Sequence, residues 1–153
     1  MKLAEALSMR ADLQKGISQL TYRLKDSSKI QEGDEPAEKI EDLMAELDDA
    51  LVRLENLIYW INETNSRTMY KGENITRMMA RKDVLSKRVD VMREVLRHVT
   101  ENETRYGRSE VRFVRMVDVA GLRKETDNYA RQLRELDMEI QSLNWQTELV
   151  GSL

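Results

Sequence analysis

A chain of 153 residues is the size of one ordinary domain, and 25 Lys and Arg against 28 Asp and Glu leave it at a formal charge of −3. Six Gly, one Pro and no Cys exclude a turn-rich β-sandwich or barrel, a disulfide framework, a thiolate nucleophile and a zinc ribbon. No run of about 18 apolar residues could span a bilayer, and the opening MKLAEALSMRADLQK lacks the apolar core of a secretory signal, so a soluble, cytoplasmic helical protein is expected.

The first predicted helix covers 3–25, where Ala6, Arg10, Leu13, Ile17, Leu20 and Leu24 recur in steps of four and three. Arg10 holds a position that the pattern reserves for an apolar side chain. It is either a register or assembly device paired with a carboxylate or helix-end carbonyls, or a side chain that snorkels to water. The second helix, 36–64, follows the acidic cap Asp34-Glu35-Pro36. Its seam reads Ile40, Met44, Leu47, Leu51, Leu54, Ile58, Ile61, and Leu43, Ala50 and Leu57 widen it to a stripe suited to a four-helix bundle.

A third helix, 75–101, opens after Asn74 and carries Ile75, Met78, Met79, Leu85, Val89, Met92, Leu96 and Val99. The fourth, 118–147, carries Val119, Leu122, Thr126, Tyr129, Leu133, Leu136, Ile140 and Leu143. Helices of about 23–30 residues run roughly 35–45 Å. The expected architecture is therefore all-α: one domain over 1–153, an antiparallel four-helix bundle with room for a small two-stranded ribbon at one end.

Residues 26–35 and 65–74 are short polar joints, whereas 101–117 is long for a bundle connection. Its β-branched Val111, Val114 and Val117, with Val111 and Phe113 alternating with Glu110 and Arg112, read as a short strand or an extended helix entry. A strand needs a partner, and Lys29-Ile30-Gln31 is the nearest in an up-down path. Val111, Phe113, Val114, Met116 and Val117 are too apolar for a solvated loop. They suit either an assembly surface or a lid over the open end of the bundle.

Charge alternates in blocks: +3 over 1–25, −9 over 26–66, +6 over 67–115 and −3 over 116–153. Complementarity between neighbouring helices accounts for that. The basic residues Arg77, Arg81, Arg88, Arg105, Arg108, Arg112 and Arg115, interleaved with Tyr106 and Phe113, also offer a nucleic-acid surface as an alternative. Asp83, Asp90, Glu94 and Glu110 interrupt that run. His98 is the single histidine, and a bundle di-metal site would need a Glu-x-x-His unit on each of two helices, which occurs nowhere. One His without Cys builds no triad, and the scattered glycines build no phosphate loop. Trp60 and Asn144-Trp145 offer large amphipathic surfaces suited to a core or an interface.

Five blocks together resemble a known group. They are Leu3-Ala4-Glu5-Ala6-Leu7 with Arg10-Ala11-Asp12-Leu13-Gln14-Lys15; Gln31-Glu32-Gly33-Asp34-Glu35-Pro36; Ile61-Asn62-Glu63-Thr64-Asn65; Arg105-Tyr106-Gly107-Arg108-Ser109-Glu110 leading to Val117-Asp118-Val119; and Asn144-Trp145. In that order they are similar to the septicolysin-like family of small bacterial helical proteins of unknown function, with Gly107 standing where Ser is expected. The resemblance covers essentially the whole chain and implies a helical fold without an established activity. The family label implies a lysin. Four strongly charged helices and a mean hydropathy of −0.63 do not suit a membrane-active protein, which stays an alternative.

The expected function is that of a non-enzymatic, self-assembling structural or protein-interaction module without cofactor or metal. Arg10, Val111, Phe113 and Met116 are its candidate assembly residues, and a homo-oligomer without a membrane span is its expected form.

Overall fold

A computed structural model describes residues 1–101 and 111–152 of the chain. The fold is all-α with four long helices and one small ribbon: α1 Leu3–Ser28, α2 Ile40–Arg67, β1 Met69–Tyr70, β2 Glu73–Asn74, α3 Ile75–Thr100 and α4 Val119–Gln146. It divides into two compact units, Met1–Thr76 with Gln141–Leu153, and Arg77–Ile140.

In the first unit α1 and α2 run antiparallel, since Arg23 near the end of α1 reaches Glu46 near the start of α2. Each contributes a stripe that repeats every seven residues. On α1 it is Leu3, Ala6, Arg10, Leu13, Ile17, Leu20, Leu24 and Ser27, all buried or half-buried. On α2 it is Ile40, Leu43, Leu47, Ala50, Leu54, Leu57, Ile61 and Thr64, again buried or half-buried. Met44, Leu51 and Ile58, expected in the α2 seam, are exposed instead. The positions one residue earlier, Leu43, Ala50 and Leu57, take the inner face, and a residue's shift on a helix turns the side chain by about 100°.

The start of α2 also differs from expectation. Helix begins at Ile40 rather than at Pro36, and Glu41 and Asp42 supply the acidic first turn. Residues 31–34 instead form a turn in which the Asp34 N–H donates to the Gln31 carbonyl, and Gly33 takes the left-handed φ of 90° that the turn needs.

The expected strand at 109–117 is not found among the described residues: 111–117 is non-helical chain without strand pairing, and Lys29-Ile30-Gln31 is not a strand. The ribbon lies at β1 and β2, paired Met69 with Asn74 and Tyr70 with Glu73. Lys71 and Gly72, at φ 49° and 86°, supply the two left-handed residues of a two-residue hairpin turn. β-branched content could not replace that turn chemistry.

The C-terminal residues close the first unit. The Leu3 N–H donates to the Thr147 carbonyl and the Leu149 N–H to the Met1 carbonyl, both near 2.9 Å. Buried Thr64 donates its hydroxyl to the Trp60 carbonyl and accepts from the Val150 N–H at 2.9 Å. Gly151, at φ 95°, crosses the Trp60 ring so closely that an added Cβ would stand 2.5 Å from Trp60 Cδ2. Glu5 caps α1 by accepting from the Lys2 N–H at 2.7 Å. Among the described residues, no buried side-chain nitrogen or oxygen lacks a partner.

In the second unit α3 and α4 are antiparallel as well. Lys82 Nζ meets Asp137 Oδ1 at 2.5 Å, and the Arg88 guanidinium lies over the Tyr129 ring and donates to its hydroxyl. Met78, Lys82, Leu85, Val89, Met92, Leu96 and Val99 form the inner stripe of α3. Val119, Leu122, Thr126, Tyr129, Leu133, Leu136 and Ile140 form that of α4.

Two stability predictions follow from this packing. Leu57 is 1% exposed and Leu51 is 45% exposed. In urea unfolding Leu57→Ala is expected to lose about 2–5 kcal/mol and Leu51→Ala at most about 0.5 kcal/mol. Equal losses would return Leu51 to the seam. Gly151→Ala meets both the left-handed backbone and the Trp60 ring, so it is expected to cost at least about 1 kcal/mol and to shift Trp60 fluorescence.

Candidate functional site

The described chain resumes at Val111 and reaches α4 through Asp118. Asp118 places its carboxylate over the first turn of α4, where the helix dipole favours a negative charge. Gly121 leaves room for it, since a Cβ there would stand 2.5 Å from Asp118 Oδ2. Between these points the side chains are turned to water: Phe113 is 76% and Met116 90% exposed, and Val111, Val114 and Val117 are exposed too. Arg112 and Arg115 punctuate the segment and make no ion pair among the described residues. A chain stretch this apolar and this exposed is unusual, because single exposed hydrophobics are common but contiguous ones mark contact surfaces.

The expected assembly residues Val111, Phe113 and Met116 therefore share one exposed segment, whereas Arg10 stands apart on α1. Arg10 is half-buried and forms no ion pair or hydrogen bond among the described residues, which agrees with the snorkelling alternative of the two. Its long apolar stem allows a place in the stripe while its head reaches water.

Some of the basic residues are already engaged. Arg88 is held by Tyr129, while Arg77 and Arg81 also make contacts of their own. Arg105 and Arg108 lie outside the described residues. His98 is exposed near the end of α3. Among the described residues no three His, Asp or Glu side chains converge as a metal site, and no helix is long and apolar enough to cross a membrane.

Sequence reasoning missed a charged cluster on the first unit. Arg23 forks onto Glu38 at 2.6 and 2.9 Å and onto Glu46 at 3.1 and 3.3 Å. These partners lie 15 and 23 residues away, so no local spacing rule signals them. The hydrogen bond from Arg23 holds the Glu38 carboxyl below its ordinary range, and the Glu38 and Glu46 hydrogen bonds raise the Arg23 guanidinium above its own. Glu148 is likewise held low, by Lys2 and then by the α-amino group of Met1.

With this geometry in view, comparison with known proteins places the chain. It belongs to a family of unknown function, DUF6847, matched over residues 10–149. It is also similar to a solved structure described as a functionally unknown conserved protein from Corynebacterium diphtheriae. That similarity is 39% in identity, covers 97% of this chain and 98% of the other, and has a TM-score of 0.91. No curated protein matches the chain.

The Arg23 cluster carries a pH prediction. A carboxyl whose folded pKa lies below its unfolded value of about 4.3 stabilises the fold above that range and ceases to as pH falls through the folded value. Glu38→Gln is accordingly expected to lower the urea midpoint at pH 7, and the gap from the parent protein should close as pH drops below about 4. A gap that is constant with pH would remove the ion pair as its cause.

Proposed function

We propose that this member of the DUF6847 family is a non-enzymatic helical module that self-assembles, with the 111–117 segment as its contact surface. One observation carries the reading: Phe113, Val114 and Met116 are each more than three-quarters exposed on contiguous non-helical chain. Water disfavours that arrangement by roughly 25 cal/mol for every Å² of apolar surface, so covering it offers an association energy that polar loops lack. Val111 and Val117 extend the same patch.

The seven-residue stripes of α1–α2 and α3–α4 support a coiled-coil-like scaffold, whose role is to present surfaces rather than to enclose a substrate. A residue set with a single His and no Cys agrees with a non-enzymatic role. The finer likeness to septicolysin-like proteins rests on the five sequence blocks alone, and a cytoplasmic location rests on composition.

Sedimentation velocity at micromolar concentration tests the reading. The parent protein is expected to sediment as an oligomer and Phe113→Asp as a monomer with unchanged helix content, because Phe113 is 76% exposed on non-helical chain. A monomeric parent protein refutes self-assembly. An oligomeric Phe113→Asp removes the segment from it.

A further inference from the structure

We propose that the groove between α1 and α2 of one copy receives the 111–117 segment of a second copy, an inference that rests on the self-assembly reading above. The groove occupies about 470 Å³, open to solvent, with Leu13, Ile17, Leu20 and Ala50 in its lining. That volume lies within the range of ordinary binding pockets. Its charged lining is mainly acidic: Asp12, Glu46 and Asp49 against Arg53. Arg23 occupies Glu46, which leaves Asp12 and Asp49 without an ion pair among the described residues.

Gly16 is the telling residue of this groove. A glycine inside a helix is less favourable than alanine there. Close packing is the usual compensation, yet a Cβ at Gly16 would meet nothing within 4 Å. Among the described residues nothing uses that space. The missing side chain keeps the groove open over Ile17 and Leu20, which suits an occupant from outside.

The 111–117 segment has the complementary chemistry. It combines exposed Phe113, Val114 and Met116 with Arg112 and Arg115, and has no acidic residue from 111 to 117. Apolar side chains would fill the groove while the two guanidinium groups face Asp12 and Asp49. Because segment and groove are different parts of one chain, the contact closes as a two-fold dimer if two copies exchange segments, or runs head-to-tail into a ring or a filament.

Complementation between two damaged copies tests this. Phe113→Asp damages the segment and spares the groove, whereas Gly16→Trp fills the groove and spares the segment. Each alone is expected to self-associate at least tenfold more weakly than the parent protein. An equimolar mixture is expected to form a one-to-one heterodimer, because one intact groove meets one intact segment. Asp12→Lys with Asp49→Lys, both on exposed positions, serves as the groove variant if Gly16→Trp fails to fold. A groove variant that associates like the parent protein overturns the inference but leaves self-assembly through the segment standing. Damaged copies that stay monomeric when mixed overturn it too, and a monomeric parent protein overturns both.

Discussion

Two helices packed side by side can bury only a narrow stripe on each, and this limit governs most of what is seen here. With 3.6 residues per turn, about two positions in seven face a single partner. On α2 those positions are Ile40, Leu43, Leu47, Ala50, Leu54, Leu57 and Ile61. Every further apolar residue on the helix then lies outside the stripe, as Met44, Leu51, Val52 and Ile58 do. The core between α1 and α2 is thus narrow, and apolar side chains outside its stripe stay exposed.

Thin cores make the helix ends decisive. Around the start of α1 and the end of α2, Leu3, Ala6, Leu57, Ile61, Thr64 and Ile75 are almost wholly buried. Burial on that scale requires every polar group nearby to be answered, and the tail residues 147–150 answer them through backbone bonds to Met1 and Leu3 and through the Thr64 hydroxyl. Glycine at 151 lets the chain turn over Trp60. At the opposite end of the α1–α2 pair, Arg23 with Glu38 and Glu46 performs a similar service with charge. Those groups are half-exposed, so solvent screens them and apolar burial remains the larger contribution.

Charge also organises what the chain can do next. The sequence carries an acidic block over 26–66 and a basic one over 67–115. Lys82 with Asp137 is settled in place, and so is Arg88 with Tyr129. Arg112 and Arg115 stand beside exposed apolar side chains, as Asp12 and Asp49 stand beside a groove. In the proposed contact, these charges would add a selection of register to the hydrophobic driving force.

The amino-acid sequence by itself determined the helical class, the four helices to within a few residues at most ends, and the apolar character of 111–117. Those features depend on local periodicity, capping and composition, which need no partner to be read. Tertiary structure alone decided the rest. Leu43, Ala50 and Leu57 lie one residue from Met44, Leu51 and Ile58, and both sets alternate by three and four with the positions they share, so only the location of α1 selects the inner one. The valines near 111–117 have strand propensity, but a strand exists through its hydrogen-bonding partner, and the left-handed Lys71-Gly72 turn provided one elsewhere. Arg10 fits the stripe by spacing, yet whether a guanidinium is paired or reaches water depends on what faces it. Arg23 reaches Glu38 and Glu46 because the α1–α2 connection folds back, a fact of three-dimensional proximity that no spacing along the chain contains.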